Sequence, residues 1–147
     1  MSKLASLFVL LVLFSIPSFA QIRQIPIAVE DAFKKQYAKA DSVDYEDNLI
    51  NVRVHFLENG EKMIATYSNK GVWKETEKAW DYNKLTRDIQ DGYQKSKYAD
   101  WKVSETAIIY TPDGSEHYRI KVQKSDVQKK YLYFDKTGRL TRDTLTI

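Results

Sequence analysis

An internal repeat constrains this chain more than any other feature of it. Val29, Asp31, Phe33 and Lys35 are answered by Ile89, Asp91, Tyr93 and Lys95, each 60 positions on. Val52, Arg53, Val54 and Phe56 are answered by Tyr118, Arg119, Ile120 and Val122, each 66 positions on. Tyr67, Gly71 and Trp73 are answered by Phe134, Gly138 and Leu140, each 67 positions on. The spacing drifts while the order of helix, strands and glycine turn is kept. A unit of this length speaks to architecture rather than to chemistry.

The N-terminus reads as an export signal over residues 1–20. Lys3 precedes the apolar run Leu7 to Ile16, and Ser18-Phe19-Ala20 supplies small residues for cleavage before Gln21. The competing reading is an uncleaved anchor. Leu4 to Ala20 is short for a bilayer span of about 20 residues, and Pro17 interrupts it. The chain holds no cysteine, so it has no thiol for lipid attachment, disulfide formation, metal binding or nucleophilic attack. The expected location is the periplasm or the exterior, with no membrane span once the signal is removed.

Residues 21–147 are then long enough for a single domain with its own core. The repeats divide it into residues 25–80 and 81–147. A formal net charge of +3, with the charges interspersed, carries no nucleic-acid signature. Ten Tyr and three Trp must supply much of the burial that disulfides do not.

Ile25, Val29, Phe33 and Tyr37 recur at helical spacing, with Pro26 suited to the first helical turn. Strand signals follow at 43–47, 50–57, 62–68 and 72–78, linked by the turns Glu58-Asn59-Gly60 and Asn69-Lys70-Gly71. Ile50, Val52, Val54 and Phe56 are expected on one face of their strand, Arg53 and His55 on the other. The pattern then restarts. Leu85, Ile89 and Tyr93 form a second helical stripe, with Asp81 or Asn83 as its N-cap. Gly92 within that stripe reads as close packing on the sheet. Four more strand signals run to the C-terminus, at 101–110, 117–123, 129–135 and 139–146. Short hairpin links imply antiparallel neighbours and helices on one face only.

The run Ile25-Pro26-x-x-Val29-x-x-x-Phe33-Lys34-Lys35-x-Tyr37, with the turn Tyr67-x-x-x-Gly71-x-Trp73, resembles the PepSY-like family of exported bacterial proteins, also described as β-lactamase-inhibitor-like. Tyr93, Lys97-Tyr98 and Phe134-Asp135-x-x-Gly138 extend the resemblance through the second half. Two departures are local. Ala38 and Ala99 stand where the family tends to have Pro, and Thr86 stands where the first half has Pro26. The resemblance implies an α+β fold, a tandem repeat of helix plus four antiparallel strands. The strands form one continuous sheet, with both helices on one side. Its motifs are core aromatics and turn glycines, which carry fold rather than activity.

A search for chemistry is mostly negative. His55 and His117 are the two histidines, with no nucleophile elbow, phosphate loop or zinc spacing around them. A Ser-His-Asp triad assembled across strands is the competing reading. Carboxylates cluster at Asp44, Glu46 and Asp47, and at Glu75 and Glu77. Glu75 and Glu77 share a strand face and could form a calcium site or an acid/base pair, but they read as a solvated edge beside Lys74 and Lys78. No enzyme activity, cofactor or metal is expected.

The positive signal is the sheet face away from the helices. Arg53, His55, His117, Arg119, Lys121, Tyr131 and Tyr133 are expected there, aromatics beside cations, as at protein–protein hot spots. The expected function is an exported, non-enzymatic binding module, inhibitor-like, that recognises a protein or peptide through this face. The alternative is a small-molecule or cell-envelope glycan binder using the same tyrosines.

Overall fold

In the computed structural model residues 24–146 are described, so the expected signal segment, 1–20, lies outside the described residues. Helix α1 (Ile27–Gln36) is followed by β1 (Asp41–Asp47), β2 (Asn51–Glu58), β3 (Glu61–Ser68) and β4 (Trp73–Trp80). A 3-10 turn at Tyr82–Lys84 leads into α2 (Arg87–Gln94), then β5 (Lys102–Tyr110), β6 (Glu116–Gln123), β7 (Lys129–Phe134) and β8 (Leu140–Leu145). The order of helix then four strands thus occurs twice, as the sequence repeat predicts. All eight strands form one sheet in chain order, and every neighbouring pair is antiparallel.

Register shows that both helices cover the same face. Residues directly opposite one another across a ladder lie on one face of a sheet. Met63, Lys78, Ile108, Tyr118 and Phe134 form one such row across β3 to β7. Its first end packs against the cluster of Val29 and Phe33 with Val52, Val54, Phe56, Ala65 and Tyr67. Its far end belongs to the cluster of Ile89 and Tyr93 with Ile120, Val122, Leu132 and Phe134. Each helix therefore caps its own core, and β4 and β5 join them.

Three expectations about where elements begin are corrected here. Ile50 does not continue the apolar stripe of β2; it lies before the strand, 81% exposed, after Leu49 in a left-handed conformation. Pro26 is the N-cap of α1 rather than its first helical residue. Asp81 caps the 3-10 turn through Asn83 N, and the N-cap of α2 is Thr86.

The repeated glycines explain how each helix is seated. Gly71 and Gly138 both have positive φ, 76° and 80°, in the β3–β4 and β7–β8 turns. A Cβ on Gly71 would lie 2.3 Å from the Ala28 carbonyl oxygen, and one on Gly138 2.0 Å from that of Asp88. Ala28 and Asp88 are themselves 60 positions apart, so one backbone contact is made twice. Gly92 packs on the Gly138 turn rather than on the strands, where a Cβ would meet the Gly138 carbonyl oxygen at 1.9 Å.

Gly71→Ala and Gly138→Ala are each expected to cost about 3 kcal/mol, left-handed strain plus backbone displacement. Gly60 has φ 80° but open space around it, so Gly60→Ala should cost only about 1 kcal/mol. Urea unfolding of the three variants checks this; equal losses would show that the helix–turn contact contributes nothing.

Candidate functional site

The uncovered face is organised around a carboxylate at its centre. His55, Ile64, Glu77, Ile109 and His117 form one register row from β2 to β6. Glu77 stands mid-row on β4 and is 7% exposed. The expected solvated edge is therefore overturned. Because β5 pairs with β4, the last strand of the first half is central, and isoleucines flank Glu77 on both sides. A buried charge must be paired. Glu77 Oε2 accepts a hydrogen bond from Arg119 Nη2 at 2.5 Å, and Glu77 Oε1 lies 3.7 Å from Arg53 Nη2. Arg53 reaches in from β2 and Arg119 from β6, so the two echoed arginines converge on one acid. Burial opposes the Arg119 charge, but the hydrogen bond and charge of Glu77 outweigh it and hold the guanidinium more firmly protonated than usual.

Glu75 lies one register row away, opposite Thr66, which in turn faces Arg53. Burial pushes its carboxyl above the ordinary range, and the Glu77 charge adds to that; Arg119, Arg142 and Arg53 offset it in part.

The second half carries the aromatics. Lys121 is opposite Tyr131, Arg119 opposite Tyr133, and Tyr133 opposite Arg142. The Arg119 guanidinium sits 4.4 Å from the Tyr131 ring centroid and Arg142 sits 3.9 Å from that of Tyr133. Lys121 Nζ lies 5.6 Å from the Tyr131 ring and 2.7 Å from Glu105 Oε1. Such stacks fix aromatic and cation relative to each other before any ligand arrives. Leu132 and Phe134, between and beside the tyrosines, are fully buried on the helix side.

Of the seven residues singled out in the sequence, the structure brings Arg53, Arg119, Lys121, Tyr131 and Tyr133 into one connected network. The two histidines lie at the ends of the Glu77 row, His55 joined to Arg53 through Glu46, whose Oε2 lies 3.6 Å from Arg53 Nη1. His55 Nε2 is 2.9 Å from Glu46 Oε2, and this hydrogen bond holds Glu46 below the usual carboxylate range. That is a histidine–carboxylate pair, but among the described residues no serine hydroxyl is hydrogen-bonded to it; the Ser42 hydroxyl donates to Asp41. Arg142 escapes the sequence reading, and Glu75 and Glu77 are read there as a solvated edge. The signal for Glu77 was available: in a continuous sheet the fourth strand is central, and two arginines 66 positions apart flank it.

The face is concave where its side chains are smallest. Ala79 and Ala107 are directly opposite each other on β4 and β5, in the row that continues to Arg119. Above them lies a trough of about 640 Å³ lined by Leu57, Ile64, Ala79 and Ala107, with Lys62, His55, Glu77, Glu105 and Arg119 among its polar residues. Among the described residues no helix is long and apolar enough to cross a membrane, and no group of three or more potential ligands is placed to hold a metal ion.

No family model and no curated protein matches the chain. Solved structures do. A DUF2874 family protein from Bacteroides ovatus ATCC 8483 aligns with a TM-score of 0.73 at 24% identity, over 84% of this chain and 89% of its own. A BLIP-like protein from Bacteroides fragilis NCTC 9343 aligns with a TM-score of 0.72 at 22% identity, over 86% of this chain and 89% of its own. A Bacteroides eggerthii protein, provisionally described as periplasmic, aligns with a TM-score of 0.72 at 18% identity, over 84% and 90%. This chain shares the BLIP-like fold.

Glu77→Ala leaves two arginines without their shared acid and is expected to cost about 3 kcal/mol in urea unfolding. Glu105→Ala, at a pair whose acid is 56% exposed, should cost under about 1 kcal/mol. Glu75 gives a signed pH effect. A carboxyl raised in the folded state favours folding when protonated, so that contribution is lost as pH rises through the raised value. Glu75→Gln should therefore have a higher thermal midpoint than wild type at pH 7. The gap should close below about pH 4, where Glu75 is protonated in both states. A lower midpoint at pH 7 would contradict the burial argument.

Proposed function

We propose that this protein is an exported binding module that recognises a protein or peptide through the open sheet face, without catalysing a reaction. The observation that carries the reading is the pair of formed arginine–tyrosine stacks, Arg119 on Tyr131 and Arg142 on Tyr133, on a rigid antiparallel sheet. Arg and Tyr are the side chains most enriched where binding energy concentrates, and a preformed pair loses little conformational freedom on binding. Lys121, Arg53, His55 and His117 complete the face on which a partner would rest. Export is supported by the signal-like sequence of residues 1–20 and by the provisional periplasmic description of one structural neighbour. The shared BLIP-like fold fits an inhibitor-like role, and the motif pattern of both halves fits the PepSY-like family. Fold alone does not assign a function, so the reading rests on the face.

A second reading is favoured by the trough. A small-molecule binder requires a concavity, and about 640 Å³ lies within the range of ligand sites, roughly 300–1,000 Å³. Glycan stacking on Tyr131 and Tyr133 is the weaker form of this reading, because Arg119 and Arg142 lie over those rings.

Affinity capture from cell-envelope extract with residues 21–147 tests the first reading. A Tyr131→Ser, Tyr133→Ser variant is the comparison, with Arg119 retained because it neutralises Glu77. A partner held by wild type and lost at least tenfold by the variant supports the open-face site. A partner retained equally by both refutes it.

A further inference from the structure

We infer that the trough over Ala79 and Ala107 binds a small aliphatic carboxylate, its chain lying on the apolar floor and its carboxylate at Arg119, with Lys62 across the floor adding positive charge. The inference rests on the small-molecule reading and names its ligand class.

The floor determines the apolar part. Leu57, Ile64, Ala79 and Ala107 come from four adjacent strands and all point away from the helices. Two alanines facing each other make the depression, and larger residues there would level it. Apolar lining with a few convergent polar groups is the usual make-up of a ligand site.

The charge balance determines the polar part. Two carboxylates line the trough, and both are already engaged. Glu77 is shared by Arg53 and Arg119, and Glu105 Oε1 holds Lys121 Nζ at 2.7 Å. Arg53 and Lys121 neutralise these acids from outside the lining. Inside it, Arg119 and Lys62 remain. Among the described residues Lys62 is in no ion pair, and the guanidinium of Arg119 makes one hydrogen bond, to Glu77. A guanidinium carries five N–H donors, so Arg119 keeps donors for a second carboxylate. A ligand anion completes this arrangement, and a ligand cation does not.

Calorimetric titration of decanoate and decanol into residues 21–147 tests it. Wild type is expected to bind one decanoate at least tenfold more tightly than decanol. Ala79→Leu fills the depression on an exposed position and should weaken decanoate at least tenfold with an unchanged thermal midpoint. Lys62→Gln, at an exposed residue outside the Glu77 pairing, should weaken decanoate several-fold and leave decanol unchanged; Arg119→Lys, which keeps a positive charge facing Glu77 but loses the guanidinium fork, should weaken decanoate more strongly. Equal binding of decanoate and decanol by wild type would overturn the anion assignment while leaving a small-molecule trough. Absence of binding by either, or no effect of Ala79→Leu, would overturn both.

Discussion

Glu77 is the constraint on which the open face depends. A carboxylate at 7% exposure is stable only if its charge is answered, and the answer comes from both halves of the chain. Arg53 on β2 and Arg119 on β6 stand four strands apart, roughly 19 Å at about 4.8 Å per strand. Each reaches inward to the same acid, which isoleucines, Ile64 and Ile109, flank on the neighbouring strands. The pairing places Arg119 over Tyr131, and Tyr133 opposite Arg119 stacks with Arg142. Positive charge and aromatic surface are thereby held in one geometry across β4 to β8.

The helix side makes that arrangement possible. Each helix is seated by its own glycine turn, Gly71 on Ala28 and Gly138 on Asp88, at distances that admit no side chain. Each covers a separate apolar cluster. With the burial supplied there, the other face has no need to be apolar. It is free to carry seven or more charges, two alanines and two tyrosines in a fixed pattern. The β4–β5 ladder joins the halves, and both Glu77 and the Ala79–Ala107 depression sit on it.

Much of this was legible in the sequence, and the limits have physical causes. Alternation in β2 placed Arg53 and His55 outward, and the repeat carried that assignment to His117, Arg119 and Lys121. Alignment of the halves also placed Tyr131 and Tyr133 correctly, since Leu132 and Phe134 occupy the positions of Ala65 and Tyr67. The burial of Glu77 was not legible from its own strand. Trp73 to Trp80 alternates charged residues on both faces, which is the signature of a strand in water; only the pairing of β4 with β5 makes it central. Ile50 failed for the opposite reason. Alternation extends one residue beyond the strand, and the left-handed Leu49 turns the chain away. The trough was invisible because two alanines signal nothing until register sets them side by side.

The central claim is that one buried carboxylate couples the two halves of the open face. A double-mutant cycle between Arg53 and Arg119 tests it most directly. Residues whose backbones lie roughly 19 Å apart and whose side chains share no partner have additive effects, within about 0.3–0.5 kcal/mol. If both hold Glu77, removing the second arginine strands the carboxylate. The Arg53→Met, Arg119→Met double variant should then be less stable than the sum of the single losses by about 1 kcal/mol or more in urea unfolding. Additive losses would contradict the account, because Glu77 would then not be a shared partner.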